Sequence, residues 1–214
     1  YTAPRLSLGV NLYYMKYKDQ LVPTGMVNDD SNALNTNVPD SYRRGVELSA
    51  SWRATGWFTV GANATFSQNR IENYVDALKD SPTYGKELGD MTIAYSPDVI
   101  ANAFLNFHHR GFEAVFHTQH VGKQYFTNNE NDALSLDAYC VTNLNLAYTF
   151  RTRSARSVRL GLLINNLFNA EYESNGYGYS YMNTWSGPAP VRIDEAYYFP
   201  QAPLNVLANV TVKF

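Results

Sequence analysis

Aromatic side chains crowd one stretch near the C-terminus. Tyr172, Tyr177, Tyr179, Tyr181, Trp185, Tyr197, Tyr198 and Phe199 all fall between Ala170 and Gln201. Rigid rings with polar tips bind flat molecules such as chelated iron, corrins or sugars at low entropic cost. Tyr177, Tyr179, Tyr181 and Trp185, nearest the middle of the stretch, are the candidate ligand-binding residues. The competing use of such rings is structural, in a headgroup girdle or in loop packing. Gly176 and Gly178 between the tyrosines suit loop conformation, since no helix follows to build a phosphate site.

Other groups able to do chemistry are arranged less favourably. All four histidines lie between His108 and His120, which invites a metal site. In a hairpin turning at Arg110-Gly111, however, His108 faces Glu113 and His117 faces Phe104. Phe104 is four residues from His108, or roughly 13 Å at strand rise, whereas a zinc site holds its ligands about 2 Å from one ion. A His108–Glu113 cross-strand pair is the better reading, and no metal is assigned. Asp29-Asp30 and Asp194-Glu195 could offer oxygen ligands to Ca²⁺, but solvated loop charge is the simpler account. No nucleophile elbow or metalloprotease spacing is present, so no enzyme and no cofactor are expected. Cys140 shares the parity of Leu144 and Leu146 and reads as a small apolar filler.

The elements that position these residues are strands. The chain ends on Leu204, Val206, Ala208, Val210, Val212 and Phe214, set against Asn205, Asn209, Thr211 and Lys213. A period of two puts one greasy and one wet face on a strand. About eleven residues is the length a tilted strand needs to cross a bilayer, whereas soluble strands average about five or six. The pattern recurs from Leu6 to Tyr17, Tyr42 to Arg53, Phe58 to Ser67, Val99 to His108, Phe112 to Val121, Leu144 to Phe150 and Val158 to Asn165. The fifth is less clean, because Val115 and Val121 fall on the wet parity. The fold class is therefore all-β, an antiparallel transmembrane β-barrel with about eight strands here. No helix is expected.

Short and long connections alternate. Ala54-Thr55-Gly56, Arg110-Gly111 and Arg151 to Ser157 are short; Lys18–Ser41, Asn69–Ser96, Gly122–Leu136 and Ala170–Gln201 are long and polar. Outer-membrane barrels have short periplasmic turns and longer outer loops, and one orientation satisfies every strand. A three-residue Ala54–Gly56 loop predicts Trp52 opposite Phe58 and Ala50 opposite Val60. A two-residue Arg110-Gly111 turn predicts Phe107 opposite Ala114 and Leu105 opposite Phe116.

Composition fits. The mean hydropathy of −0.35 would look soluble, yet only half of each barrel strand faces lipid. No apolar run approaches the roughly 18 residues of a transmembrane helix. The 17 tyrosines are of the type favoured at headgroups. A net charge of −2 with scattered basic residues calls for no nucleic acid. Tyr1 in place of an initiator Met is expected of a mature or excised piece.

The segment Asn165-Asn166-Leu167-Phe168-Asn169, then Glu171-Tyr172, a long loop and a terminal strand ending in Phe214, resembles the C-terminal end of TonB-dependent outer-membrane receptors. Asn37-Val38-Pro39-Asp40-Ser41-Tyr42-Arg43-Arg44-Gly45-Val46-Glu47 resembles a segment entering a barrel strand in the same family. The resemblance implies that residues 1–214 are roughly the last third of a 22-stranded barrel, whose lumen must be plugged. It also implies a plug domain and a TonB box elsewhere in the polypeptide, contact with outer-membrane lipid, and residence in the outer membrane of a Gram-negative bacterium. The TonB complex would be met through the N-terminal region, and the cargo would be a scarce nutrient such as a ferric siderophore, cobalamin or haem. Two alternatives remain at this point: a self-contained eight-stranded barrel with an adhesive or structural role, and a soluble carbohydrate-binding β-sandwich.

Overall fold

Every period-two segment is a strand in the computed structural model, which describes residues 1–28, 32–79 and 81–214. A short β1 (Thr2–Ala3) precedes the long β2 (Leu6–Val27), β3 (Ala33–Arg53) and β4 (Phe58–Ile71). The short β5 (Met91–Thr92) leads into β6 (Val99–His109) and β7 (Phe112–Val121). Next come β8 (Gln124–Tyr125), a single 3₁₀ turn at Asp132–Leu134, β9 (Ser135–Leu136), β10 (Tyr139–Phe150) and β11 (Ser157–Asn165). The last elements are β12 (Glu173–Asn183), β13 (Val191–Pro200) and β14 (Asn205–Lys213).

The main sheet is antiparallel in the order β1-β2-β3-β4-β6-β7-β10-β11-β14, with β5 attached to β4. Strands β12–β13 and β8–β9 form separate two-stranded sheets. Because the β1–β2 edge and β14 stand at opposite ends of the order, the sheet is an open wall. A self-contained small barrel would need those two to pair. A sandwich would bury one apolar face against a second sheet. Here Val10, Leu12 and Val210 remain 66–73% exposed on one parity, and the two buried apolar clusters lie among the connections at one end.

Turn chemistry sets the register. Arg110 and Gly111 both take positive φ, 48° and 87°, as a two-residue hairpin turn requires. Phe107 accordingly faces Ala114, and Leu105 faces Phe116. The other short turn differs from expectation: Trp52 faces Val60 and Ala50 faces Ala62, two residues farther along. The extra residues build a corner with its own contacts. The Trp57 amide donates to Thr55 Oγ1 at 3.2 Å, and the Trp57 ring meets Phe107 edge-on at 5.2 Å. A shift of two preserves parity, so the lipid-facing set is unchanged.

The long connections are more ordered than their polar composition suggests. Most of Lys18–Ser41 continues as β2 and β3, spanning 22 and 21 residues. Asp19, at φ 51°, interrupts the alternation there. Beyond it, Gln20 accepts a 2.5 Å bond from the buried Ser41 hydroxyl, and Val22 joins Val38, Ile71, Tyr74 and Ile93 in a core. That cluster and a second one of Phe126, Leu134 and Leu136 bind the long connections to one another. The wet-parity Val121 is buried as well.

Candidate functional site

The Ala170–Gln201 stretch is a hairpin rather than a loop. Its alternation Gly176-Tyr177-Gly178-Tyr179-Ser180-Tyr181 sorts two residue types onto two faces of β12. Neither Gly176 nor Gly178 takes positive φ, so the expected role in loop conformation is corrected to one of close approach. A Cβ on Gly178 would stand 2.8 Å from Leu134 Cδ2 and 3.0 Å from Phe126 Cδ2; one on Gly176 would stand 2.7 Å from Phe126 Cζ. The glycines thus let the hairpin lie directly on Phe126 and Leu134, which are almost wholly buried.

The bed beneath is fastened by polar contacts. Asn128, fully buried, accepts from the Ala94 amide at 2.8 Å and donates to the Pro23 carbonyl at 2.6 Å. Glu130 accepts from the Thr92 amide at 3.0 Å and pairs with Arg70. Three long connections are therefore tied together under the hairpin.

The opposite face of the hairpin carries the predicted candidates. Tyr177, Tyr179 and Tyr181 stand at alternate positions, and β13 sets Tyr197 opposite Tyr177 and Glu195 opposite Tyr179. Tyr177 and Tyr197 stack at 4.9 Å and 14°; Tyr179 lies 6.4 Å from Tyr197 and from Tyr181. Glu195 Oε2 accepts from the Tyr179 and Tyr197 hydroxyls at 2.7 and 2.9 Å, and Oε1 from Tyr181 at 3.1 Å. These bonds, with Tyr179 foremost, hold the Glu195 carboxyl below its ordinary value. The same carboxylate pushes the Tyr179 and Tyr181 hydroxyls above theirs. The result is a half-exposed ring platform with one carboxylate at its centre and phenol oxygens free to accept from a ligand.

Three of the four candidates are thus brought together, and Trp185 is not. It lies in the turn between β12 and β13, 78% exposed, beyond the ring stack. Tyr197 and Glu195 complete the platform without having been singled out as partners. The alternation of Val191, Ile193, Glu195, Tyr197 and Phe199 is the signal for them in the sequence, a strand's period of two inside a polar connection. Tyr172 and Tyr198 serve packing instead, stacking on Tyr139 and meeting Phe126.

The remaining candidates do not converge. Asp194 and Glu195 project from opposite faces of β13: Asp194 accepts from Ser180 at 2.6 Å and Arg192 at 2.9 Å. Asp29-Asp30 lies outside the described residues. His108 faces Glu113 across the strands, as the register predicted, and the Glu113 carboxylate is also taken by Arg159 in an ion pair at 2.6 Å, a partner the sequence did not point to. His117 faces Phe104. Among the described residues no group of three His, Cys, Asp or Glu side chains could hold a metal ion.

Residues 1–167 match the family model described as TonB dependent receptor-like, beta-barrel. No curated protein matches the chain. Among solved structures it is similar to the ferric yersiniabactin uptake receptor FyuA from Yersinia pestis, at 19% identity and a TM-score of 0.67, covering 100% of this chain and 28% of that one. It is also similar to the siderophore receptor PiuA from Acinetobacter baumannii, at 15% identity and a TM-score of 0.65, covering 96% of this chain and 26% of that one. The copper transporter OprC gives 19% identity and a TM-score of 0.64, covering 98% of this chain and 29% of that one. Such identities establish likeness of fold. The chain spans 26–29% of the length of those structures.

Proposed function

The chain belongs to the TonB-dependent receptor β-barrel family, and from that premise we propose that it is the C-terminal wall of an outer-membrane receptor importing a scarce nutrient. The first choice of cargo is a ferric siderophore, with cobalamin or haem next. The carrying observation is the ring platform of Tyr177, Tyr179, Tyr181 and Tyr197, exposed at the end of the wall where the long connections gather. Similar structures named as receptors for ferric yersiniabactin and for a siderophore support an iron chelate. One named as a copper transporter keeps a second metal chelate in view.

In this reading the wet face of the wall, with Asn63, Asn102, Asn106, Asn143, Asn145 and Asn209, meets a plug domain of the same polypeptide. The TonB complex engages an N-terminal region and supplies the energy. This wall contributes ligand contacts and no catalysis. The test is binding of a panel of ferric siderophores, cobalamin and haem to the full-length receptor, read by quenching of intrinsic fluorescence. One ligand is expected to bind at micromolar concentration or below, and Tyr177→Ala and Tyr197→Ala to weaken it. Failure of every ligand, in a folded receptor, would sink the cargo assignment.

A further inference from the structure

The outward face of β2, β3 and β4 changes character within one rung. Leu12, Val46 and Phe66 stand side by side at the edge of the apolar band. The next rung toward the outer end is Tyr14, Arg44 and Gln68, and the one after it Lys16, Tyr42 and Arg70. At this boundary a groove of about 610 Å³ opens, floored by Val46, Phe66 and Val99 and edged by Tyr14, Arg44 and Gln68.

The cations of these rungs differ in their partners. Lys16 meets Glu72 at 3.2 Å and Asp40 at 3.6 Å. Arg70 pairs with Glu130 and, at 3.9 Å, with Asp98, the one acid lining the groove. Arg44 donates from Nε and Nη2 to Gln68 Oε1 at 2.8 and 2.6 Å, and its guanidinium lies 5.2 Å from the Tyr42 ring centroid. Tyr42 in turn stacks on Tyr14 at 6.3 Å. Among the described residues no carboxylate lies within 4.0 Å of Arg44.

A cation on a lipid-facing parity, one rung beyond the apolar band, sits at headgroup depth and is stabilised there by an anion. The guanidinium fork matches phosphate oxygens, and Arg44 keeps N–H groups beyond the two that Gln68 takes. Tyrosine rings flank such headgroups, and an apolar floor accepts acyl chain. We propose that Arg44, with Tyr14, Tyr42 and Gln68, binds the phosphate-bearing headgroup of an outer-leaflet lipid whose chain lies along Val46, Phe66 and Val99. The inference rests on the outer-membrane reading above.

The test uses the full-length receptor in detergent micelles, charged with either a diphosphorylated saccharolipid or its dephosphorylated form, with retained lipid counted by native mass spectrometry. Wild type is expected to retain the phosphorylated lipid preferentially, and Arg44→Gln to lose about tenfold of that retention, the scale of one charge-assisted contact. Arg44→Lys should keep part of it. Heat-modifiable gel mobility reports whether each variant is folded; if Arg44→Gln is not, the wild-type comparison of the two lipids decides. Equal retention of both lipids, unchanged retention by folded Arg44→Gln, or full displacement by inorganic phosphate would overturn the site. A receptor absent from outer-membrane fractions would defeat the functional reading instead, while the micelle assay still judges Arg44.

Discussion

Arg159 on β11 reaches over the whole width of β10 to hold Glu113 on β7, with Nη1 and Nη2 at 2.6 and 2.8 Å from the two carboxylate oxygens. The path is open because Ala147, which pairs with both Glu113 and Gly161, has almost no side chain to raise between them. Three neighbouring strands are thereby cross-tied on the wet face.

Both partners are more than a third exposed, so solvent discounts the pair despite its fork geometry. A double-mutant cycle of Arg159→Ala and Glu113→Ala, read as thermal stability of the full-length receptor, should give a coupling of about 1 kcal/mol or less. Replacing His108 by Ala should leave that coupling unchanged. If Glu113 coupled to His108 and not to Arg159, the three-strand tie would be rejected.

Asn166 is the hinge of the Asn165–Asn169 segment. It is buried, takes φ 51°, accepts from the Ala170 amide at 2.8 Å and donates to the Ala170 and Ala202 carbonyls, while its own amide donates to Asn143. Asn166→Ala should lose about 2–3 kcal/mol through unpaired buried groups and left-handed strain. Asn166→Gly leaves the groups unpaired but escapes the strain, and should fall between. Chemical unfolding of the three proteins checks the order; an alanine variant as stable as the glycine one would reject it.

Gly178→Ala forces a methyl to 2.8 Å from both Leu134 and the Glu195 carbonyl. Overpacking of this kind costs about 1–3 kcal/mol and should loosen the hairpin from Phe126. Limited proteolysis between β12 and β13 should then run faster than in wild type. Gly187 is the control, because a methyl placed there would meet nothing within 4 Å. Gly187→Ala should cleave at the wild-type rate.

The tyrosine platform makes hairpin order depend on pH at both ends. Glu195 is held below its ordinary value, so its contribution is present above the unfolded carboxylate pKa and is lost as pH falls through the folded one. Tyr179 is pushed up, so its contribution is complete below the ordinary phenol value and is lost as pH rises through the folded pKa. In Glu195→Gln, Tyr179 and Tyr181 should ionise at lower pH than in wild type. Difference absorbance of the two proteins at phenolate wavelengths reads this directly; superimposable alkaline titrations would show that the carboxylate does not hold the phenols.

Strand existence and sidedness were legible from residues such as Val46, Leu48 and Trp52 because a period of two is a local property. Turn length at Arg110-Gly111 was legible too, since a two-residue turn keeps the flanking parity together and Gly111 suits the positive φ it takes. The corner at Ala54–Phe58 was not, because the Trp57 contact with Phe107 that accompanies it joins residues far apart in the chain. Likewise Tyr177, Tyr179 and Tyr181 stood out by type and spacing, while Glu195 did not, since its role exists only once β13 pairs with β12.

The sequence by itself determined where the strands run, which residues of each share an apolar parity, and which end carries the long connections. Those follow from nearest-neighbour geometry along the chain. Only the tertiary structure decided that the longest connection is a hairpin, that Gly176 and Gly178 seat it on Phe126 and Leu134, and that Arg159 joins His108 at Glu113. Each of those depends on groups separated by many residues, and side chains meet across such distances only where the sheet register brings them.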